Sequence, residues 1–232
     1  MDAIADNYEF IAVSFATTVG LFVFAGIGSL LLGSLLVTLR VGPIGVMRRT
    51  AAAYVILVRN TPLLLILLFF SIAGPKIGIK FQFVDIVIST GWGDIRMTNA
   101  FAGAVVGMTL YTAAFVCEAL RSGVNAVPVG QAEAARAIGL PFAGVMANVV
   151  LPQALRAALP PLASTMIALL KNTTVAISVL VLEAAFAMRQ LLNDYPGDRW
   201  VLLLTFAAIF VVLVEVLSLL SNRLERRWRL AR

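Results

Sequence analysis

Residues 11–39 read IAVSFATTVGLFVFAGIGSLLLGSLLVTL, 29 positions without a charged side chain. As an α-helix that run is ~43 Å long at 1.5 Å per residue, more than the ~30 Å hydrocarbon core of a bilayer requires. A helix apolar on every face must be buried all round, in a large core or in lipid. Four further segments are mainly apolar, each with a single charged residue, at about 50–73, 99–120, 157–182 and 200–221. Together they predict an all-α membrane protein of about five transmembrane helices, organised as one transmembrane domain over 1–232.

Composition agrees. Hydrophobic residues make up 61% of the chain and charged residues 13%, about half the ~25% usual in soluble domains, and the mean hydropathy is +0.97. The opening MDAIADNYEF is acidic and the apolar run after it is too long for a signal h-region, so the first helix is expected to remain as a span. A single cysteine, Cys117, sits in an apolar run and reads as a small buried hydrophobe. It allows no intrachain disulfide. Without histidine, the chain has no His/Cys metal cluster and no Ser-His or Cys-His catalytic arrangement.

The expected spans differ in kind. Gly20, Gly26, Gly28 and Gly33 mark close packing on the first, and Gly103-x-x-x-Gly107 does so on the third. The second is expected to end at the Gly74-Pro75 breaker. In the fourth, Lys171-Asn172-Thr173-Thr174 separates two apolar runs of about 14 residues, the second if carried on to Met188, each short of the ~20 needed to cross. That predicts a broken helix, a feature that often marks binding sites in transporters.

Orientation follows from the basic residues. The loops after spans one and three and the C-terminal tail hold eleven, Arg40, Arg48, Arg49, Arg121, Arg136 and Arg156 among them; the other side holds five, Lys76, Lys80, Arg96, Arg189 and Arg199. The positive-inside rule then predicts the N-terminus outside and the C-terminus in the cytoplasm. The net charge of +6 therefore reports topology and not nucleic-acid binding, and the tail RLERRWRLAR reads as an anchor to anionic lipid.

The cytoplasmic loop, about 121–152, contains GQAEAARAIGLP (130–141). The sequence predicts a short helix over about 130–138, closed by Gly139 in the left-handed conformation and followed by a second helix starting at Pro141. Ala132, Ala134, Ala135 and Ala137 give it little bulk, and Glu133 and Arg136 share a face. It suits either docking into a groove on another protein or simply linking two spans.

These residues resemble a known pattern. EAARAIG followed by LPQA is similar to the EAA loop of ABC transporter permeases, here Glu133, Ala134, Ala135, Gly139, Leu151 and Pro152. RNTPLLLILLFF (59–70), FVCEALRSGVNAVPVGQAEAARAIGL (115–140) and LPQALRAALPPLASTMIALLKNTT (151–174) resemble blocks of the polar amino acid permease subfamily, and RNTP and KNTT look most like actinobacterial glutamate permeases. The resemblance implies a type I importer permease in a bacterial plasma membrane. It implies two separate ATP-binding subunits, which would hold ATP and magnesium, a second and unlike permease subunit, and an extracellular substrate-binding protein. It assigns ATPase coupling to Gln131, Glu133, Ala134, Ala135, Arg136 and Gly139. This chain has no GxxxxGK[ST] phosphate loop, so no cofactor is expected in it and it is not expected to be an enzyme.

Charges inside a span cost at least ~2.5–3.5 kcal/mol at a helix centre and normally face a partner or cavity. Arg59 and Lys171, with Asn60, Thr61, Glu118, Asn172 and Thr173, form the candidate substrate-binding group. Two cations beside a neutral Asn172, where the family commonly has aspartate, suit an acidic amino acid. The alternatives are that Arg59 and Glu118 form a buried structural bridge and that Lys171 snorkels or caps a half-helix. Glu183 and Glu215 are equally open to helix packing or function, and Asp194, Pro196, Gly197 and Asp198 form an outer loop that a binding protein would reach. The leading reading is a glutamate permease, with glutamine or another polar amino acid as alternative substrates. A secondary transporter or channel working without an ATPase is the other class, though no internal repeat supports it.

Overall fold

The computed structural model of the chain describes residues 2–79, 86–90 and 93–228; Lys80, Arg229 and Arg232, which entered the charge balance, lie outside them. Helix α1 (Asp2–Ala5) leads into α2 (Tyr8–Val41), α3 (Gly45–Arg59), α4 (Leu63–Leu68) and, through a π turn at Phe69–Ala73, the short α5 (Gly74–Lys76). A hairpin of β1 (Ile86–Thr90) and β2 (Gly93–Met97) follows, antiparallel with Ile86 opposite Met97. Then come α6 (Asn99–Asn125), α7 (Val129–Ala137), α8 (Phe142–Val145), α9 (Leu151–Asn172), α10 (Ala184–Asp194) and α11 (Arg199–Trp228).

Among the described residues, four helical runs are long and apolar enough to cross a membrane: Tyr8–Val41, Asn99–Asn125, Phe142–Val179 and Pro196–Trp228. The fifth expected span is a bent pair, Gly45–Arg59 and Leu63–Lys76, meeting at 102°. The break expected in span four thus belongs to span two. The cause is Pro62, which lacks an N–H and pushes the preceding residue out of the helical region. Helix α3 stops at Arg59, and Pro62 (φ −58°, ψ 136°) opens α4. The Thr61 hydroxyl turns back to donate to the Leu57 carbonyl at 2.8 Å.

Span four stays helical through Lys171–Thr174. Its backbone only tightens, from α to a 3₁₀ segment at Thr173–Val179. The hydroxyls of Thr173 and Thr174 donate to the carbonyls of Leu170 (2.7 Å) and Lys171 (2.8 Å), so these polar residues serve their own helix. The run ends at Leu180, in the left-handed conformation at φ 61°. It also begins earlier than the apolar stretch, at Phe142, because α8 continues through a π turn at Met146–Val150 into α9. Span two ends close to the expected Gly74-Pro75, at Lys76, with Pro75 in the first turn of α5, where a missing N–H is harmless.

The core is built around α6. Helices α2 and α6 approach so closely that a Cβ on Gly33 would lie 2.5 Å from Val116 Cγ1. On another face, Gly107 admits α4, with Leu67 Cδ2 2.9 Å from where its Cβ would stand, and Gly103 admits the π turn at Phe70 and Ser71. Leu21, Ala25, Leu63, Leu67, Met108, Leu169 and Ala176 form the central cluster. A second cluster joins Ala3, Phe15, Leu191, Leu202 and Phe206 at the chain's first and last helices.

Candidate functional site

Glu118 organises the charges. Its carboxylate accepts a hydrogen bond from Arg40, in the last turn of α2, and lies 3.8 Å from Arg59 and 3.6 Å from Arg121. Three guanidiniums around one carboxylate leave two positive charges uncompensated. The Arg40 side chain is 10% exposed, whereas those of Arg59 and Arg121 are 46% and 42% exposed. Arg40 is therefore the buried structural partner. Arg59 is an outward arm, its guanidinium also 5.5 Å from the centre of the Phe115 ring. Sequence reasoning put Arg40 in a loop and missed this role; a contact across 78 residues carries no local signal.

The other candidate residues lie across an apolar seam. Leu63 and Leu67 of α4 pack with Ala176 and Val179 of the 3₁₀ segment, which makes the Asn60-Thr61 kink and the end of α9 parts of neighbouring elements. Lys171 is exposed, Asn172 half-buried and Thr173 buried. Among the described residues, no hydrogen bond or ion pair joins these three to Arg59, Asn60, Thr61 or Glu118.

The coupling segment folds as its residues predict. Helix α7 spans Val129–Ala137, Gly139 takes φ +90°, and Pro141 precedes α8. Its alanines do not all face outward, however. Ala135 is buried and Ala132 half-buried against Val145, Val150 and Met146, because α7 must cover the π turn beneath it. The free face carries Gly130, Glu133, Ala134, Arg136 and Ala137, flanked by Val129 and Ile138 at 71% and 80% exposure. Those two apolar residues were missed, although both are written beside the motif. Among the described residues, one side-chain hydrogen bond ties α7 to α9: the Gln153 amide donates to Gln131 Oε1 at 2.5 Å, and it also donates to the Val149 carbonyl of its own helical run at 2.8 Å.

Residues 29–230 match the family described as "Binding-protein-dependent transport system inner membrane component". The chain belongs to that family. It is 40% identical to the glutamate transport system permease protein GluC of Corynebacterium efficiens and 38% identical to that of Corynebacterium glutamicum, each across 92% of both chains. In fold it is similar to the crystal structure of an amino acid ABC transporter with histidines, at a TM-score of 0.82, 24% identity and coverage of 97% of this chain and 96% of that one. It is thus an inner-membrane transport component with the type I ABC importer permease fold. As an importer permease it works with ATP-binding subunits and a substrate-binding protein.

Within this binding-protein-dependent permease, Glu183 has a structural task. Fully buried, its carboxylate accepts the N–H groups of Ala185 (2.8 Å) and Phe186 (3.1 Å) and caps α10. Glu215 is exposed on α11. Asp194 ends α10, and Pro196–Asp198 forms a 3₁₀ turn before α11.

Proposed function

We propose that this chain is the permease of an ATP-driven importer of acidic amino acids, with glutamate as the substrate. The observation that carries the proposal is the pair of relatives named glutamate permeases, which align over nearly the whole chain. The charge balance supports it: the exposed Arg59 arm and the two uncompensated charges around Glu118 favour a carboxylate. Arg59, Asn60, Thr61 and Glu118 form one half of the substrate path, and Lys171, Asn172 and Thr173 the other. The coupling segment faces the cytoplasm with the C-terminus, and the N-terminus lies outside. Two ATPases, which bind ATP and magnesium, dock on the face of Glu133, Ala134 and Ile138, and an unlike second permease completes the pore.

Uptake by the reconstituted complex with its binding protein tests this. Glutamate is expected to drive uptake and ATP hydrolysis, glutamine less so and arginine least. A preference for arginine refutes the acidic-substrate reading.

A further inference from the structure

Beside the coupling segment, a cavity of about 350 Å³ opens between the beginning of α9 and the last turn of α11. Gln153, Arg156, Leu159, Pro160, Glu225 and Trp228 line it. Arg156 and Glu225 are half-buried, and neither makes an ion pair or hydrogen bond with any described residue. Two opposite charges that line one cavity without pairing suit a ligand bearing both signs. The volume lies at the lower end of the ~300–1,000 Å³ range of small-molecule sites, which suits a single amino acid.

We propose that this cavity binds a zwitterionic α-amino acid. The Arg156 guanidinium takes the carboxylate through paired N–H donors, and Glu225 accepts from the ammonium group. Leu159, Pro160 and the Trp228 ring cover the side chain. The cavity's Gln153 is the residue whose amide holds Gln131 of the coupling helix and the Val149 carbonyl of the π turn. A bound amino acid therefore rests against the tie between α7 and α9, and its occupancy slows transport when product accumulates on the coupling side. Amino acid binding here and ATPase docking on α7 then change each other's affinity by the same factor. The feedback rests on the importer reading above; the binding site does not, because it recognises groups common to all α-amino acids.

The complete complex, purified without its binding protein and placed in lipid nanodiscs, is titrated calorimetrically with glutamate, with alanine, and with glutarate, which lacks the ammonium group. Glutamate and alanine are expected to bind and glutarate to bind at least tenfold more weakly. Arg156→Ala and Glu225→Gln are each expected to weaken amino acid binding at least tenfold. In proteoliposomes, the glutamate concentration on the ATPase side that halves uptake should rise by the same factor in each variant, relative to that variant's own uninhibited rate. Should Arg156→Ala fail to assemble, Glu225→Gln alone carries the test. Binding that is unchanged in the variants, or equal for glutarate, overturns the proposal. A complex that binds alanine through Arg156 and Glu225 yet transports no glutamate supports the site while refuting the substrate assignment.

Discussion

Glu118→Gln separates the structural arginine of the charge cluster from the exposed ones. The substitution leaves Arg40, with its side chain 10% exposed, facing two further guanidiniums with no carboxylate among them. Breaking a fully buried pair costs ~3–5 kcal/mol by leaving a charge unpaired. Glu118 is itself 28% exposed, which reduces the expected loss to about 2–3 kcal/mol, since solvent already screens part of the interaction. At ~2–4 °C per kcal/mol for a chain of this size, the unfolding midpoint should fall by ~4–12 °C. Double-mutant cycles then apportion the loss. Glu118→Gln with Arg40→Met should show a coupling of about 2 kcal/mol, and Glu118→Gln with Arg121→Met below about 1 kcal/mol, the usual worth of an exposed pair. Arg59→Ala should cost less than about 1 kcal/mol in stability for the same reason, yet raise the half-saturating glutamate concentration for uptake. The assay is thermal unfolding of the purified complex in nanodiscs, beside uptake in proteoliposomes. A coupling to Arg121 as large as that to Arg40 would refute the division made here between buried and exposed partners.

Two further substitutions test packing and docking. Gly33→Ala places a methyl 2.5 Å from Val116 Cγ1 and should cost about 1–3 kcal/mol through overpacking. Gly130→Ala on α7 meets nothing within 4 Å and should be neutral or slightly stabilising, up to about 1 kcal/mol; both are read by thermal unfolding. Glu133→Lys and Ile138→Asp alter only exposed side chains. They should leave the unfolding midpoint of the isolated subunit unchanged while weakening co-purification of the ATPase and ATP-driven uptake at least tenfold.

The elements that sequence made legible are those whose signal is local. Span positions, the short helix after Pro128 and its left-handed Gly139 all follow from hydropathy and turn chemistry within a few residues. The broken span was placed wrongly because hydropathy weighs Lys171-Asn172-Thr173-Thr174 as polar and Asn60-Thr61-Pro62 as a small notch. Backbone chemistry ranks them the other way. Two threonine hydroxyls can be absorbed by carbonyls of their own helix, but a proline N–H cannot be supplied from anywhere. Arg40 and Gln153 were missed for a different reason. Their partners, Glu118 and Gln131, lie 78 and 22 residues away and meet them only after the helices pack.

The corrected break also joins the two candidate sites. Helix α7 rests on the π turn of Met146–Val150, and α9 runs from that turn to the 3₁₀ segment at Thr173–Val179. That segment packs on α4 immediately beyond the kink, while Arg59 ends the helix immediately before it. A displacement applied at the coupling helix therefore needs only one helix and one apolar seam to reach the kink. A continuous second span would resist it as a rigid rod. The 102° bend at Asn60-Thr61-Pro62 is instead a position where no backbone hydrogen bond is donated back from residue 62. Two irregular turns, one under α7 and one packed on α4, thus stand at opposite ends of α9. That placement gives the coupling segment a mechanical reason to sit at the head of span four, which a docking role alone does not supply.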